Sequence, residues 1–179
     1  MTAAEIPEGF EPLFRKSPLT EPWEPLYAKR TDRAVIIGLR LAKPHTNGRG
    51  LIHGGLIAAL SDNAMGYSCA QATGWTTSFV TIGLAVDFVG TAQVGQWLAI
   101  ESDVIKTGST ICFAQSLIKA DDVVIARANA TFRVVPKKAA AWLHLVSRAR
   151  CGVLHAAPQN RDPRGEMGPG SAAHRRSRA

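Results

Sequence analysis

The run NGRGLIHGGLIAALSD, residues 47–62, sets a histidine, two glycines and an aspartate around the start of one apolar stretch. Each residue type has a chemical use. The first amides of a helix have no intrahelical partner and carry partial positive charge, and a residue without Cβ lets a ligand approach them. Gly54 and Gly55 therefore suit the stabilisation of a developing oxyanion, where one backbone donor contributes about 2.7–4 kcal/mol. Asp62, set among Leu60, Ala64 and Met65, offers a carboxylate in apolar company. It is suited to activate water as a general base or to attack a carbonyl carbon itself, and the spacing does not choose between the two.

Geometry complicates this set. A helix rises ~1.5 Å and turns ~100° per residue, so the nine steps from His53 to Asp62 carry the acid ~13 Å along the axis and to about the opposite face. A base and an oxyanion donor must both lie about 3 Å from the reacting centre. One subunit cannot supply both from these residues. Two copies of the helix meeting antiparallel at a two-fold axis would, because the start of one then lies beside the middle of the other, and an isologous dimer gains two equivalent composite sites.

The elements around the run follow from its flanks. Residues 1–22, rich in Pro and Glu around Phe10, Leu13 and Phe14, read as a short helix or loop laid on the body. PLYAKR and RAVIIGLRLA read as strands with Thr31 and Asp32 in the turn between them. KPHTNGRG is a loop, and from Leu51 to about Thr73 the spacing of Leu56, Leu60 and Ala64 predicts the one long apolar helix, ended at Gly74. Beyond it the period becomes two. In VTIGLAVDF, strict alternation puts Val80, Ile82, Leu84, Val86 and Phe88 on one face and Thr81, Gly83, Ala85 and Asp87 on the other. WLAIESDVIK and TICFAQSLIK are joined by a tight TGS turn and followed by VVIARANATFRV, so the four late strands are expected in hairpin succession. One apolar helix against an antiparallel sheet with a small-residue face is an α+β two-layer design.

Charge is unevenly placed. Residues 1–135 hold 12 Lys+Arg and 12 Asp+Glu, while residues 136–179 hold 9 and 2, so the formal net charge of +7 belongs to the tail. A balanced body lacks the positive face that gives nucleic-acid affinity, and no nucleic-acid partner is expected. The three cysteines, Cys69, Cys112 and Cys151, are too few and too widely spaced for a disulfide framework and read as reduced thiols. MTAAEIPEGF is not a signal peptide, and no apolar run approaches the ~20 residues that span a bilayer, so a soluble, cytoplasmic protein with no membrane partner is expected. The composition divides the chain into an N-terminal segment 1–22, a domain 23–135 and a basic extension 136–179. In the extension, Trp142, Leu145, Val146 and Ala149 have the spacing of a short amphipathic helix ahead of a tail of disordered composition.

The pattern N-x-x-G-x-x-H-G-G with an Asp nine residues after the His, together with the element order, resembles the hotdog-fold acyl-CoA thioesterases of the phenylacetic-acid-degradation (PaaI-like) type, within the 4-hydroxybenzoyl-CoA thioesterase superfamily. The resemblance covers about residues 20–135. It implies a hotdog fold, an antiparallel sheet wrapped around one central helix, and hydrolysis of an acyl-CoA thioester to a free acid and coenzyme A without a cofactor. It implies Asp62 as general base or nucleophile, the Gly54 N–H as oxyanion donor, His53 and Asn47 as the groups that orient thioester and loop, and Thr81 as the holder of the attacking water. It implies a site shared across a homodimer, alone or within a dimer of dimers (a homotetramer). For coenzyme A, whose phosphates need cationic or amide contacts, Arg49 beside the helix start and Lys106, Gly108 and Ser109 in the TGS turn are candidates, with Gly55 at the helix start. Tyr67, Trp75, Phe79 and Phe88 are candidates to line the acyl pocket, which leaves aryl and medium-chain groups equally open.

Taken singly, these residues have plainer uses. His53 can be a helix-start residue satisfied by a carbonyl, Asp62 a surface position, Asn47-Gly48 an ordinary turn and Thr81 a common strand residue. A metal set of His45, His53 and Asp62 is disfavoured by the same helix geometry, and no metal is expected. A non-catalytic acyl-CoA-binding regulator is the alternative from another class, and a hotdog hydratase would want a different His and acid pairing that the chain does not offer.

Overall fold

A computed structural model describes residues 5–136. The expected C-terminal helix around Trp142 and the tail after it lie outside the described residues. Within them the order is β1 (Glu11–Pro12), β2 (Tyr27–Arg30), β3 (Val35–Arg40), α1 (Gly54–Ala72), β4 (Thr77–Phe88), β5 (Trp97–Thr107), β6 (Ile111–Ala120) and β7 (Val123–Pro136). The strands form one antiparallel seven-stranded sheet in the order β1-β2-β3-β5-β6-β7-β4. It packs one face on α1, which is the α+β hotdog arrangement.

The helix is apolar around most of its circumference, the pattern of a helix taken into a core rather than laid on a surface. Leu56, Leu60, Ala64, Met65 and Cys69 are buried against Val35, Ile37, Leu39, Leu98, Ile100 and Ile118. On β7 the inward residues are Ala126, Ala128, Ala130 and Phe132, all buried. Three alanines in a row leave room for the helix to lie close to the sheet. Ser68 fixes the helix to β3, since its hydroxyl donates to the Ala64 carbonyl at 2.7 Å and accepts the Val35 N–H at 3.0 Å. The early segment lies on the body as a loop with a two-residue strand, where Leu13 is buried and Phe10 packs edge-on against Trp97 with ring centroids 5.1 Å apart.

Two expectations about the late strands are corrected. Only β5, β6 and β7 follow one another as hairpins. Residues 89–96 instead carry the chain away from β4, with Val89 and Gly90 donating to the Ile125 carbonyl and Ile52 donating to the Ala92 carbonyl. That connector is long enough to cross to β3, beside which β5 then pairs. β4 is left as the far edge, paired among the described residues with β7 alone.

The second correction concerns the faces of β4. Its register with β7 runs Phe79↔Val134, Val80↔Arg133, Thr81↔Phe132, then shifts to Gly83↔Thr131 and Leu84↔Ala130. Ile82 is the extra residue of a β-bulge, and one extra residue inverts the alternation. Residues directly opposite in a ladder point to the same side. Thr81, opposite buried Phe132, therefore faces the helix together with Leu84, Val86 and Phe88, instead of turning away with Asp87.

Candidate active site

The loop before α1 is held by its own side chains. Asn47 Oδ1 accepts the backbone N–H groups of Arg49 at 2.8 Å and Leu51 at 3.3 Å, closing a local turn that ends at Gly50 with φ of 78°. His45 is buried, and both ring nitrogens are used. Nδ1 accepts the Ala42 N–H at 2.9 Å, which leaves Nε2–H to donate to the Trp23 carbonyl at 3.1 Å. Burial lowers the His45 pKa, partly opposed by the bond to Trp23. The His45 carbonyl in turn accepts the His53 N–H at 2.9 Å. His45 thus serves to deliver His53 to the helix start. Among the described residues no three His, Cys, Asp or Glu side chains gather as a metal site.

His53 is the N-cap. Its backbone is extended, with φ of −78° and ψ of 126°, and its Nδ1 accepts the Gly55 N–H at 2.9 Å. That bond engages the Gly55 amide. A Cβ at position 55 would stand 2.9 Å from His53 Nδ1, so glycine there makes room for the capping ring. Leu56 and Ile57 donate to the His53 carbonyl. Of the first helical amides, the Gly54 N–H has no acceptor among the described residues. The Phe88 ring lies over Gly54, where an added Cβ would meet it at 3.1 Å. Phe88 is therefore not a wall of the Asp62 cleft; it covers the helix start.

The bulge on β4 makes the second half of the site. Thr81 Oγ1 donates to Asp62 Oδ1 at 2.7 Å, a length expected of a hydroxyl bonded to a carboxylate. The pair lies in a cleft of about 330 Å³ whose walls include Tyr67, Trp75, Phe79 and Phe132, with Asn63 and Arg15. Three of the four expected acyl-pocket residues are here. Arg15, from the N-terminal segment, escapes sequence reasoning because nothing in its neighbourhood marks it. Beside it Phe14 packs on Tyr67 and Trp75, with centroids 5.4 and 5.6 Å apart, and the Arg30 guanidinium sits 4.1 Å from the Phe14 ring centre. Burial raises the Tyr67 pKa and the charge of Arg15 draws it partly back, so the phenol stays a hydrogen-bond donor at neutral pH.

Within one chain the two halves are separate. His53 and Gly55 border a different cleft of about 300 Å³, with Trp23, Pro44, His45 and Thr46. They lie towards opposite ends of β4, since Asp62 meets Thr81 near its beginning and Gly54 meets Phe88 at its end. The expected coenzyme contacts divide the same way. Arg49 is exposed beside the helix start, whereas the turn bearing Lys106, Gly108 and Ser109 is bound through Thr110 to Val134, opposite Phe79. Gly108 is needed by the turn itself, because its N–H donates to the Ile111 carbonyl and a Cβ would stand 2.8 Å from that oxygen.

An acid on the one central helix, bonded to a strand hydroxyl, and an amide at the helix start with no acceptor among the described residues are groups that can activate water and polarise a carbonyl. The sequence profile of the thioesterase superfamily matches residues 49–132, from the loop before α1 to the middle of β7. PA0474 of Pseudomonas aeruginosa, named as a candidate esterase, is 36% identical over 130 residues, which span 72% of this chain and 97% of that protein. The chain belongs to the thioesterase superfamily. Human acyl-coenzyme A thioesterase 13 is 32% identical over 83 residues, 44% of this chain and 56% of that protein. A hypothetical thioesterase protein of Streptococcus pneumoniae, solved with coenzyme A, superposes with a TM-score of 0.58 over 62% of this chain and 86% of its own, a likeness of fold at 18% identity.

Proposed function

We propose that the chain is a PaaI-like acyl-CoA thioesterase working at a composite site in a homodimer. The observation that carries this reading is the Asp62–Thr81 pair at 2.7 Å, formed in an aromatic cleft by a bulge that turns Thr81 toward the helix. The free Gly54 amide is the complementary piece.

The edge of the sheet supports the dimer. β4 is twelve residues long, and Val80, Ile82, Leu84 and Phe88 on it are exposed, Ile82 at 57% and Phe88 at 53%. A long apolar edge whose ladder groups are unpaired among the described residues is a ready template for pairing with another strand. Antiparallel pairing of β4 with β4 of a second copy, centred near Leu84 and Ala85, sets Thr81 opposite Phe88 of the partner subunit. Asp62 of one copy then approaches the amide of Gly54 of the partner subunit, and the Lys106 turn comes to the end where the partner's Arg49 lies.

In the reaction, Thr81 donates to Asp62 and its free lone pairs hold a water against the carboxylate. Asp62 takes a proton from that water as its oxygen adds to the thioester carbon. The oxyanion is held by the amide of Gly54 of the partner subunit, the C–S bond breaks, and the coenzyme A thiolate leaves and takes up the proton that Asp62 removed from the water. Direct attack by Asp62 through a mixed anhydride uses the same groups, and label found in Asp62 after a single turnover in ¹⁸O-water marks that route. An acyl-CoA panel read with a thiol reagent tests the activity. Asp62→Asn is expected to abolish turnover with the melting temperature kept. Mixing it with Gly54→Pro is expected to restore activity through heterodimers with one intact site. Undiminished hydrolysis by Asp62→Asn overturns the assignment, and failure of complementation overturns the shared site.

A further inference from the structure

Cys69 on α1 and Cys112 on β6, 43 residues apart in the chain, have their Sγ atoms 2.8 Å from each other. Both side chains are fully buried. Sequence spacing gave no reason to pair them, and the fold does so by laying the helix across the strand. A disulfide bond is ~2.05 Å long, so joining the two sulfurs asks for less than ~1 Å of movement.

The position of the pair ties it to the site. Seven residues turn a helix by ~700°, so Cys69 lies two turns beyond Asp62 on nearly the same face. Cys112 is opposite Phe132 on β7, and Phe132 is opposite Thr81 on β4. The two thiols thus join α1 to the strand row that ends in the partner of Asp62. Phe132, between Cys112 and Thr81 in that row, is a wall of the Asp62 cleft.

We propose that Cys69 and Cys112 are a redox-modification site, a buried dithiol that a small-molecule disulfide oxidant converts to an intramolecular disulfide joining helix to sheet. In the first step one thiolate attacks a sulfur of glutathione disulfide and releases one glutathione. In the second the other thiolate attacks the resulting mixed disulfide and releases another. Two thiols and one glutathione disulfide become one protein disulfide and two glutathiones. Burial holds the Cys69 thiol far above its ordinary pKa and raises that of Cys112, so the closed fold offers little thiolate. The exchange therefore proceeds through transient separation of α1 from β6 and quickens in mild denaturant. Because the sulfurs are already 2.8 Å apart, the link holds the Asp62–Thr81 row in place and stabilises the fold.

The test uses the full chain, whose third thiol, Cys151, allows three pairings in all. Reduced protein is equilibrated in glutathione buffers of rising disulfide fraction with low urea, quenched in acid, alkylated under denaturing conditions and mapped without reduction. The expected result is loss of two thiols, a Cys69–Cys112 linked peptide as the main product, and a melting temperature higher by about 10 °C that dithiothreitol reverses. Cys112→Ser and, separately, Cys69→Ala should remove both the link and the rise. The proposal is overturned if Cys69 and Cys112 stay alkylatable while Cys151 is glutathionylated. It is also overturned if links to Cys151 form in equal yield, or if the linked protein melts below the dithiol. None of these readings depends on thioester hydrolysis.

Discussion

Replacing Gly54 by proline removes one hydrogen-bond donor and little else. Gly54 is the first residue of α1, where proline's fixed φ is compatible with a helix and its missing N–H leaves no helical bond unmade. The residue before it, His53, is already extended, as a pre-proline residue must be. The one structural cost is crowding of the Phe88 ring, which a Cβ meets at 3.1 Å. Gly54→Ala bears that same crowding while keeping the amide, so the ratio of the two variants isolates the donor. Loss of one oxyanion donor is worth about 2.7–4 kcal/mol, or about 10²–10³ in kcat. Gly54→Pro is therefore expected to turn over a good acyl-CoA substrate on the order of 100-fold or more slowly than Gly54→Ala. The two should melt within a few degrees of each other. Initial rates of thiol release at saturating substrate, with melting curves on the same samples, make the comparison. Equal kcat for the proline and alanine variants would refute the reasoning, because the free amide would then have no share in the transition state.

Other outcomes follow from the same geometry. Thr81→Val removes the 2.7 Å bond to Asp62 at an exposed position, so kcat should fall by about 10–100-fold, the equivalent of about 1.4–2.7 kcal/mol, with melting nearly unchanged; Thr81→Ser should stay within a few-fold of the parent. Arg49→Gln and Lys106→Gln should raise KM with little change in kcat and weaken its salt dependence, as expected of cations that meet coenzyme phosphates outside the reacting centre. His45 should give the fold an acid-sensitive joint. Its folded-state pKa lies below the ordinary 6.5, so on acidification the unfolded chain takes up the proton first. The stability it confers is complete above about pH 6.5 and declines as the pH falls below that value. Melting curves from pH 8 to 5 should show this decline, and His45→Gln should flatten it.

The one long helix, its buried character and the nine-residue interval from His53 to Asp62 are determined by the sequence alone, because helical period is a local property. Its first residue is Gly54 and not Leu51, since Leu51 and Ile52 are taken into bridges with Gln93 and Thr46. The conclusion that one subunit cannot bring Asp62 to its own Gly54 follows from rise and turn per residue, and in the fold the two lie towards opposite ends of β4. Local pattern could not supply the direction of Thr81, since strict alternation turns it away from Asp62. The bulge at Ile82 that reverses it exists only in the ladder between β4 and β7. The same limit applies to the place of β4 at the sheet edge, to Arg15 in the cleft and to the meeting of Cys69 with Cys112. Each depends on which distant segments pair and in what register, and that is settled by packing the whole sheet around α1, where a shift of one residue would exchange the buried face for the exposed one.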